Sequence, residues 1–343
     1  MKKRAYNSGL IETKARIVSA ASVVGRAEFS GPLSAFFDLH DDTDRFGQST
    51  WEQSESEMQR RALSIAMKKL GTVQNDLDAI FAGDLLNQCV GAAYGLSDFG
   101  APYFGLYGAC STSAESLILS SMTVSGGFFD LAAAVTSSHN CSAERQFRTP
   151  IEYGGQRPPS AQWTVTGAGA FIIAADRIDS PFVTRNSPTV CQVMPGIVTD
   201  KGINDPNNMG AAMAPAAVDT LTRYFRLSGS HPDNFDLILT GDLGRIGSEI
   251  LVDMLKADGI DISRVHNDCG LIIYEGIDSP DVNSGGSGCG CAATVLAAHV
   301  LPKLASGEIK NMLFIATGAM MSTSSLQQGL SIPGIAHLLR IKA

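Results

Sequence analysis

Cys110 lies in Gly108-Ala-Cys-Ser-Thr-Ser113, between the apolar run Tyr103-Phe-Gly-Leu-Tyr107 and the helix-forming run Leu117-Ile-Leu-Ser-Ser-Met122. The thiol is therefore expected at a strand-to-helix elbow. There it would gain from the positive end of the helix dipole and from free backbone N–H groups, which lower a thiol pKa and favour the nucleophilic thiolate. The same N–H groups, at Cys110 and Ser111, can instead hold a ligand carboxylate. A third reading is a small side chain filling a buried corner. Two aspartates share one context: Asp84 and Asp242 each follow a glycine at the end of an apolar run, Ala79-Ile-Phe-Ala-Gly83 and Leu237-Ile-Leu-Thr-Gly241. Each reads either as a cap of the following turn or as one arm of a shared oxygen site for a hard cation.

Other motifs carry less chemistry. Cys269 with Cys289-x-Cys291 lacks the second CxxC or HxxxH pair that would complete a tetrahedral zinc site, so no metal centre is expected. The seven cysteines are an odd number in apolar or glycine-rich surroundings, which suits reduced thiols in a reducing compartment. Gly167-Ala-Gly-Ala170 lacks the GxGxxG spacing of a nucleotide loop and runs straight into Phe171-Ile-Ile-Ala-Ala175, so it should permit close backbone approach. The segment from Pro206 to Pro215 reads as the start of a helix covering the pocket.

The elements that must position these residues come in duplicate. Gly71 to Asp84 matches Gly229 to Asp242 at a constant offset of 158, and Ser125 to Thr136 matches Ser306 to Thr317 at 181, which also lays Cys110 on Cys291. In the first half Ser49-Thr-Trp-Glu52 reads as a capping box, Met58, Ala62, Ile65 and Ala66 fall on one helix face, and Gly71 closes the helix. Alternation of helices with short apolar strands (Asp130 to Thr136, Asn311 to Thr317) predicts an α/β fold with mixed sheets covered on both faces. The natural division is 1–180 and 181–343. The difference between the offsets puts 23 extra residues in the second half, expected as an added strand pair around Leu271-Ile-Ile-Tyr274 and a polar loop.

With 343 residues the chain exceeds the ~250–300 at which single cores stop growing, in keeping with two fused halves. Hydrophobic residues at 44% against 17% charged describe a compact globular protein rather than a disordered one. A formal charge of −8, with no basic run beyond Lys2-Lys3-Arg4, argues against nucleic acid as a partner and leaves any anionic ligand dependent on local donors. No apolar stretch approaches the ~18–20 residues that span a bilayer, and Ala5-Tyr-Asn-Ser8 does not continue as a signal segment. A soluble, unexported, cytoplasmic protein is expected.

The elbow, the duplication and the Gly167–Ala170 strand resemble the thiolase superfamily, in particular ketoacyl-carrier-protein synthase III. Ala82-Gly-Asp-Leu-Leu-Asn-Gln88, the Cys110 elbow, Thr136-Ser-Ser-His-Asn140, Ala143-Glu-Arg-Gln-Phe-Arg148 and Glu152-Tyr-Gly-Gly-Gln156 are similar, more closely, to the stage V sporulation protein AD family. Met213-Ala-Pro-Ala-Ala217, Ser331-Ile-Pro333 and Ile335-Ala-His337 add to that likeness, which runs from about Ser30 to His337. The resemblance implies a thiolase-like fold of five αβαβα layers. The synthases pair their cysteine with a His and an Asn from the second half. This chain has Asp242 where the His is expected and Ser284-Gly-Gly-Ser-Gly288 where the Asn is, with Asn283 the only amide nearby. An aspartate donates no proton at neutral pH unless strongly desolvated, so condensation is disfavoured; the alternative is a displaced partner, His266 or His337, from elsewhere in the fold.

The sporulation family implies a different task. It is a non-catalytic binding protein for dipicolinic acid, pyridine-2,6-dicarboxylate, acting in uptake into the developing spore with membrane proteins of an uptake channel. The location implied is cytoplasmic and peripheral to the spore inner membrane through those partners. A flat dicarboxylate needs donors, and the candidates are the N–H groups at Cys110 and Ser111 with His139, Asn140 and Arg145. Arg145 offers a bidentate fork or an ion pair with Glu144 or Glu152; His139 is a ligand or a satisfied core residue. Asp84 and Asp242 would join through Ca²⁺ bound with the ligand, or else act as caps. No other cofactor is implied. Thiolase-like proteins pair through the strand before the elbow, here Tyr103 to Tyr107, so a homodimer is expected.

Overall fold

Residues 9–147, 157–177, 180–277 and 282–343 are described by the computed structural model; the Glu152–Gln156 motif and Arg148 lie outside them. Both halves lay down the same grammar. Helix Trp51–Leu70 is followed by strands Ala79–Gly83 and Tyr103–Leu106, helix Thr112–Ser125 and strand Leu131–Ser138. Helix Met209–Ser228 is followed by strands Leu237–Thr240 and His266–Asp268, a helical run from Cys289 to Ser306, and strand Asn311–Ala319. The long helices end on Gly71 and Gly229, both left-handed, because glycine alone takes that C-terminal conformation without a Cβ penalty.

Strand pairing repeats as well. Gly167–Ala175 lies antiparallel between Ile11–Val24 and Leu131–Ser138, which continues in parallel to Ala79–Gly83 and Tyr103–Leu106. Gly334–Lys342 lies antiparallel between Thr189–Met194 and Asn311–Ala319, which continues in parallel to Leu237–Thr240 and His266–Asp268. The beginning of Ile11–Val24 also pairs with Thr189–Met194, so the two halves join into one hydrogen-bonded series of strands. Helix Thr112–Ser125 and the Cys289–Ser306 run are sandwiched between the halves of that series, where Leu117, Ile118, Cys291 and Leu296 share a core with Phe171 and Phe314. Helix Trp51–Leu70 covers one outer face and Met209–Ser228 the other. The result is five layers, α, β, α, β, α. Gly169 permits the central layer to close: a Cβ there would stand 2.6 Å from the Ala293 Cβ and 2.8 Å from its carbonyl carbon.

Three expectations need correction. The capping box is one residue later, with Thr50 accepting from the Gln53 N–H and Gln53 reaching back, so Ser49 and Glu52 are not the pair. Cys269–Ile273 is a short helix rather than part of a strand pair, because the Asp268 carboxylate accepts from the Gly270 N–H and caps a turn there. An apolar run of four residues is too short to tell strand from helix. Cys289–Ser306 is an 18-residue helical run apolar enough to cross a membrane by length and composition, against the expectation that none exists. Most of it is buried in the central layer, where helices are apolar all round because both faces meet a sheet.

Candidate functional site

The elbow is built as its glycine and hydroxyl residues dictate. After strand Tyr103–Leu106 the chain turns at Gly108, passes Ala109 with φ 53°, and enters a 3₁₀ turn, Ala109–Ser111, that feeds helix Thr112–Ser125. A left-handed alanine is a strained position that the surrounding bonds must hold. They do: the Ser111 N–H and hydroxyl both donate to the Gly108 carbonyl, and the Gly108 N–H donates to the Thr112 hydroxyl, which donates to the Ala109 carbonyl. The Ser111 N–H is thus consumed by the turn and is not available to a ligand carboxylate.

Cys110 is buried, and its neighbour from the second half is Asp242. Burial first, then the Asp242 charge, pushes the thiol well above its ordinary range. The thiolate expected from the helix dipole is therefore not the resting state, since desolvation and an adjacent carboxylate outweigh the dipole. Asp242 accepts from the Gly288 N–H at 3.0 Å and the Thr317 hydroxyl at 2.8 Å. Its complete burial raises its pKa from 3.8 to about 7, against the lowering effect of hydrogen bonds from Cys110, Gly288 and Thr317. The strongly desolvated case is the one realised, so this carboxyl carries a proton for much of the time near neutrality. Cys110 and Asp242 form a hydrogen-bonded pair that holds its protons.

Cys110 forms the floor of a narrow cleft with about 50 Å³ open to water centres, room for a few waters. Leu85, Ala143, Phe147, Met209 and Met321 supply apolar walls; Glu144, Thr164 and Ser287 supply polar edges. Met209 opens helix Met209–Ser228, so the segment expected to cover the pocket does reach it. Among the described residues no histidine lines the cleft. His266 bonds the Thr240 hydroxyl at 3.0 Å, and His337 accepts from the Gly196 N–H at 2.9 Å; burial lowers each to about 4. Neither replaces the missing partner. Asn283 donates to the carbonyls of Arg157 and Pro158 and does not line the cleft.

The remaining candidate residues are not gathered there. His139 is fully buried, accepts from the Cys141 N–H at Nδ1, and bonds the Asp44 carbonyl through Nε2, which assigns the proton to Nε2. Burial lowers its pKa, and it holds the start of helix Asn140–Phe147 as a neutral core residue. Asn140 donates to the Thr164 carbonyl and the Thr166 hydroxyl, tying that helix to strand Trp163–Thr164. Arg145 faces outward and pairs with Glu52, not with Glu144; Glu152 lies outside the described residues. Asp84 accepts from the Leu86 and Ala92 N–H groups and sits beside Glu55, whose oxygens accept from Ser137 and Ser142. Burial raises Asp84 to about 6 and, with the Asp84 charge, raises Glu55 to about 8. Symmetry brings Asp84 and Asp242 into the same region, since both charges act on Cys289, but each is capped by its own backbone donors.

The sequence profile of the stage V sporulation protein AD family matches residues 6–342. The chain belongs to that family. Stage V sporulation protein AD of Bacillus subtilis (strain 168) is 43% identical over 339 residues, covering 98% of this chain and 97% of that protein. Among solved structures, a cerulenin-bound variant of OleA from Xanthomonas campestris superposes with a TM-score of 0.62 at 13% identity, over 99% of this chain and 100% of that one. The 3-oxoacyl-[acyl-carrier-protein] synthase III of Aquifex aeolicus VF5 gives 0.57 at 14% identity, over 95% and 99%. At such identities the likeness shows the thiolase-like fold alone. This member of a sporulation family thus carries the fold of condensing enzymes with an aspartate beside the elbow cysteine.

The sequence does not point to Glu144 and Thr164 as cleft residues. Glu144 reads there as a partner for Arg145, yet it pairs with Arg157 at 3.3 Å. A helical face count from Ala143 to Phe147, four residues apart, would have pointed that side of the helix inward. Thr164 carries no spacing signal that separates it from other polar residues.

Proposed function

We propose that this protein binds dipicolinic acid without transforming it, and that it serves uptake of the ligand into the developing spore together with membrane proteins of the uptake channel. The observation that carries the reading is the Cys110–Asp242 pair. A condensing enzyme needs a thiolate; burial and the Asp242 charge keep this thiol protonated. What remains at the floor of the cleft is a binding surface. The family resemblance supplies the ligand, and the apolar walls suit the faces of an aromatic ring. The narrow cleft must widen to admit it.

Three further proposals accompany this reading. Tyr103–Leu106 is the last strand of its sheet and exposes Tyr103 and Phe104, so it is proposed to pair with the same strand of a second copy. Ca²⁺ arriving with the ligand would have to displace the backbone donors from Asp84 and Asp242. Dipicolinate titration in the presence of a chelator tests that step, and unchanged affinity would end it. Association with the spore inner membrane is proposed to run through the partner proteins.

A second reading, acyl transfer by Cys110, is favoured by the retained elbow with its strained Ala109. Calorimetric titration with dipicolinate and intact-mass spectrometry after incubation with acyl-CoA separate the two. Saturable binding with no mass increase supports the first. A stable acyl adduct on Cys110 that turns over refutes it.

A further inference from the structure

A cleft with room for a few waters does not admit a pyridine dicarboxylate, so its walls must part before the ligand enters. Beside it lies a second chamber, with about 340 Å³ open to water centres, which Asn87, Tyr107, Met320, Ser322 and Ser325 also line. Leu85, Ala109, Phe147, Ala319 and Met321 line both spaces. Two of these stand on different walls: Leu85 follows strand Ala79–Gly83, and Phe147 ends helix Asn140–Phe147. Both pack in one apolar cluster with Cys110, Ala143 and Cys289. Parting these walls makes a single space of the cleft and the chamber.

One side chain bonds across the walls twice. Gln146, the residue before Phe147, donates through Nε2 to the Leu85 carbonyl at 2.8 Å, and its Oε1 accepts from the Asn87 N–H at 3.0 Å. The segment it grips is strained: Gln88 and Cys89 are both left-handed, with φ 61° and 54°, a conformation unfavourable for residues that carry a Cβ. The ends of the segment are fixed elsewhere. The Asp84 carboxylate accepts from the Leu86 N–H at 2.8 Å, and the Cys89 thiol donates to the Leu106 carbonyl at 2.9 Å. At the exposed rim the Tyr107 hydroxyl donates to the Asn87 side chain at 3.0 Å. A strained segment, fixed at both ends and gripped between them by a half-buried amide, is arranged to give way at the grip.

We propose that Gln146 is the latch of this cleft: while its two bonds hold, Leu85 and Phe147 stay together as walls above Cys110, and when they break, the cleft and the chamber join into the site that receives the ligand. Gln146 lines neither space and acts through Leu85, so it is a positioning residue. The ligand class is the planar aromatic dicarboxylate of the dipicolinate reading, on which the proposal rests. Its ring lies against Phe147 and Met321, and its carboxylates gain the Asn87 amide and the Tyr107 hydroxyl of the chamber as donors.

The test compares the full chain as wild type, Gln146→Ala, Leu85→Ala and the double variant, each checked by thermal melting. The first readout needs no ligand: the rate at which iodoacetamide labels Cys110, measured by peptide mapping with Cys191 of strand Thr189–Met194 as internal reference. Loss of two hydrogen bonds between the walls predicts labelling of Cys110 about tenfold faster in Gln146→Ala. Leu85→Ala should also quicken it, and the double variant should add little, because Leu85 is the wall that the latch holds. In Gln146→Ala the association and dissociation rates of dipicolinate, followed by surface plasmon resonance on immobilised protein, should both rise by a similar factor. A natively melting Gln146→Ala variant that labels Cys110 at the wild-type rate overturns the proposal. If that variant fails to fold, labelling of Leu85→Ala at the wild-type rate overturns it. Faster labelling with unchanged dipicolinate rates overturns the assignment of the joined space to the ligand. Wild type that binds no dipicolinate refutes the parent reading, and the labelling rates still decide the latch.

Discussion

Replacing Asp242 with Asn should invert the order of stability of the two proteins between acid and alkaline pH. The folded state raises the Asp242 pKa from 3.8 to about 7, mainly by burial. Between those values the native state binds more protons than the unfolded chain, so the stability associated with this group is fully present below about pH 4, declines as pH rises, and is lost above about 7. At about 1.4 kcal/mol per pH unit, roughly three units amount to about 4 kcal/mol. Asn cannot ionise, so its contribution is flat. It retains one carbonyl oxygen but leaves either the Gly288 N–H or the Thr317 hydroxyl without its acceptor, which costs about 1–3 kcal/mol. Asp242→Asn should therefore be less stable than wild type, by up to ~2 kcal/mol, near pH 4.5, and more stable by about 1–3 kcal/mol near pH 8. Urea unfolding at a series of pH values measures this directly, and the other buried acids cancel in the difference between the proteins. A wild-type-minus-variant difference that stays constant across the range would refute the argument that Asp242 is a desolvated, proton-holding carboxyl.

Glu55→Gln should raise the melting temperature near pH 8 and leave it nearly unchanged near pH 5, because Glu55 is raised from 4.5 to about 8 and its stability is lost as pH climbs through that value; an effect independent of pH would count against the buried Glu55–Asp84 pair. Gly318→Ala would put a Cβ 2.6 Å from the Gly108 carbonyl oxygen and 3.1 Å from the Ser111 nitrogen, forcing the elbow backbone to move. A loss of about 1–3 kcal/mol in thermal or urea unfolding is expected, together with weaker ligand binding, and an unchanged melting curve would show that the contact is not tight. In native protein treated with iodoacetamide, peptide mapping should find Cys110 labelled more slowly than the partly exposed Cys141 and Cys191. Fastest labelling at Cys110 would restore the nucleophile reading.

Much of the architecture is legible in the chain because register and period are local properties. Two runs at offsets of 158 and 181 carry the same apolar strands, and strands with the same neighbours in sequence take the same neighbours in the sheet. Gly71 and Gly229 mark helix ends by their own conformational freedom, and Asp242 reaches the Cys110 side because it lies two residues past a strand that ends there. The helix after His139 shows where this legibility stops. Ala143, Glu144 and Phe147 face the cleft while Arg145, one or two residues away, faces Glu52. Each residue turns a helix by about 100°, so the facing set depends on how the helix is docked, here by Asn140 on Thr164 and Thr166.

By itself, then, the sequence determined the duplicated α/β topology, the elbow at Cys110 and the substitution of an aspartate for a histidine beside it. Tertiary structure alone decided the chemistry of that pair. In water an aspartate at a strand end would be ionised at neutral pH and a thiol at a helix start would be drawn toward its thiolate; buried against one another both hold their protons, because charge is stable only where water or an opposite charge supports it.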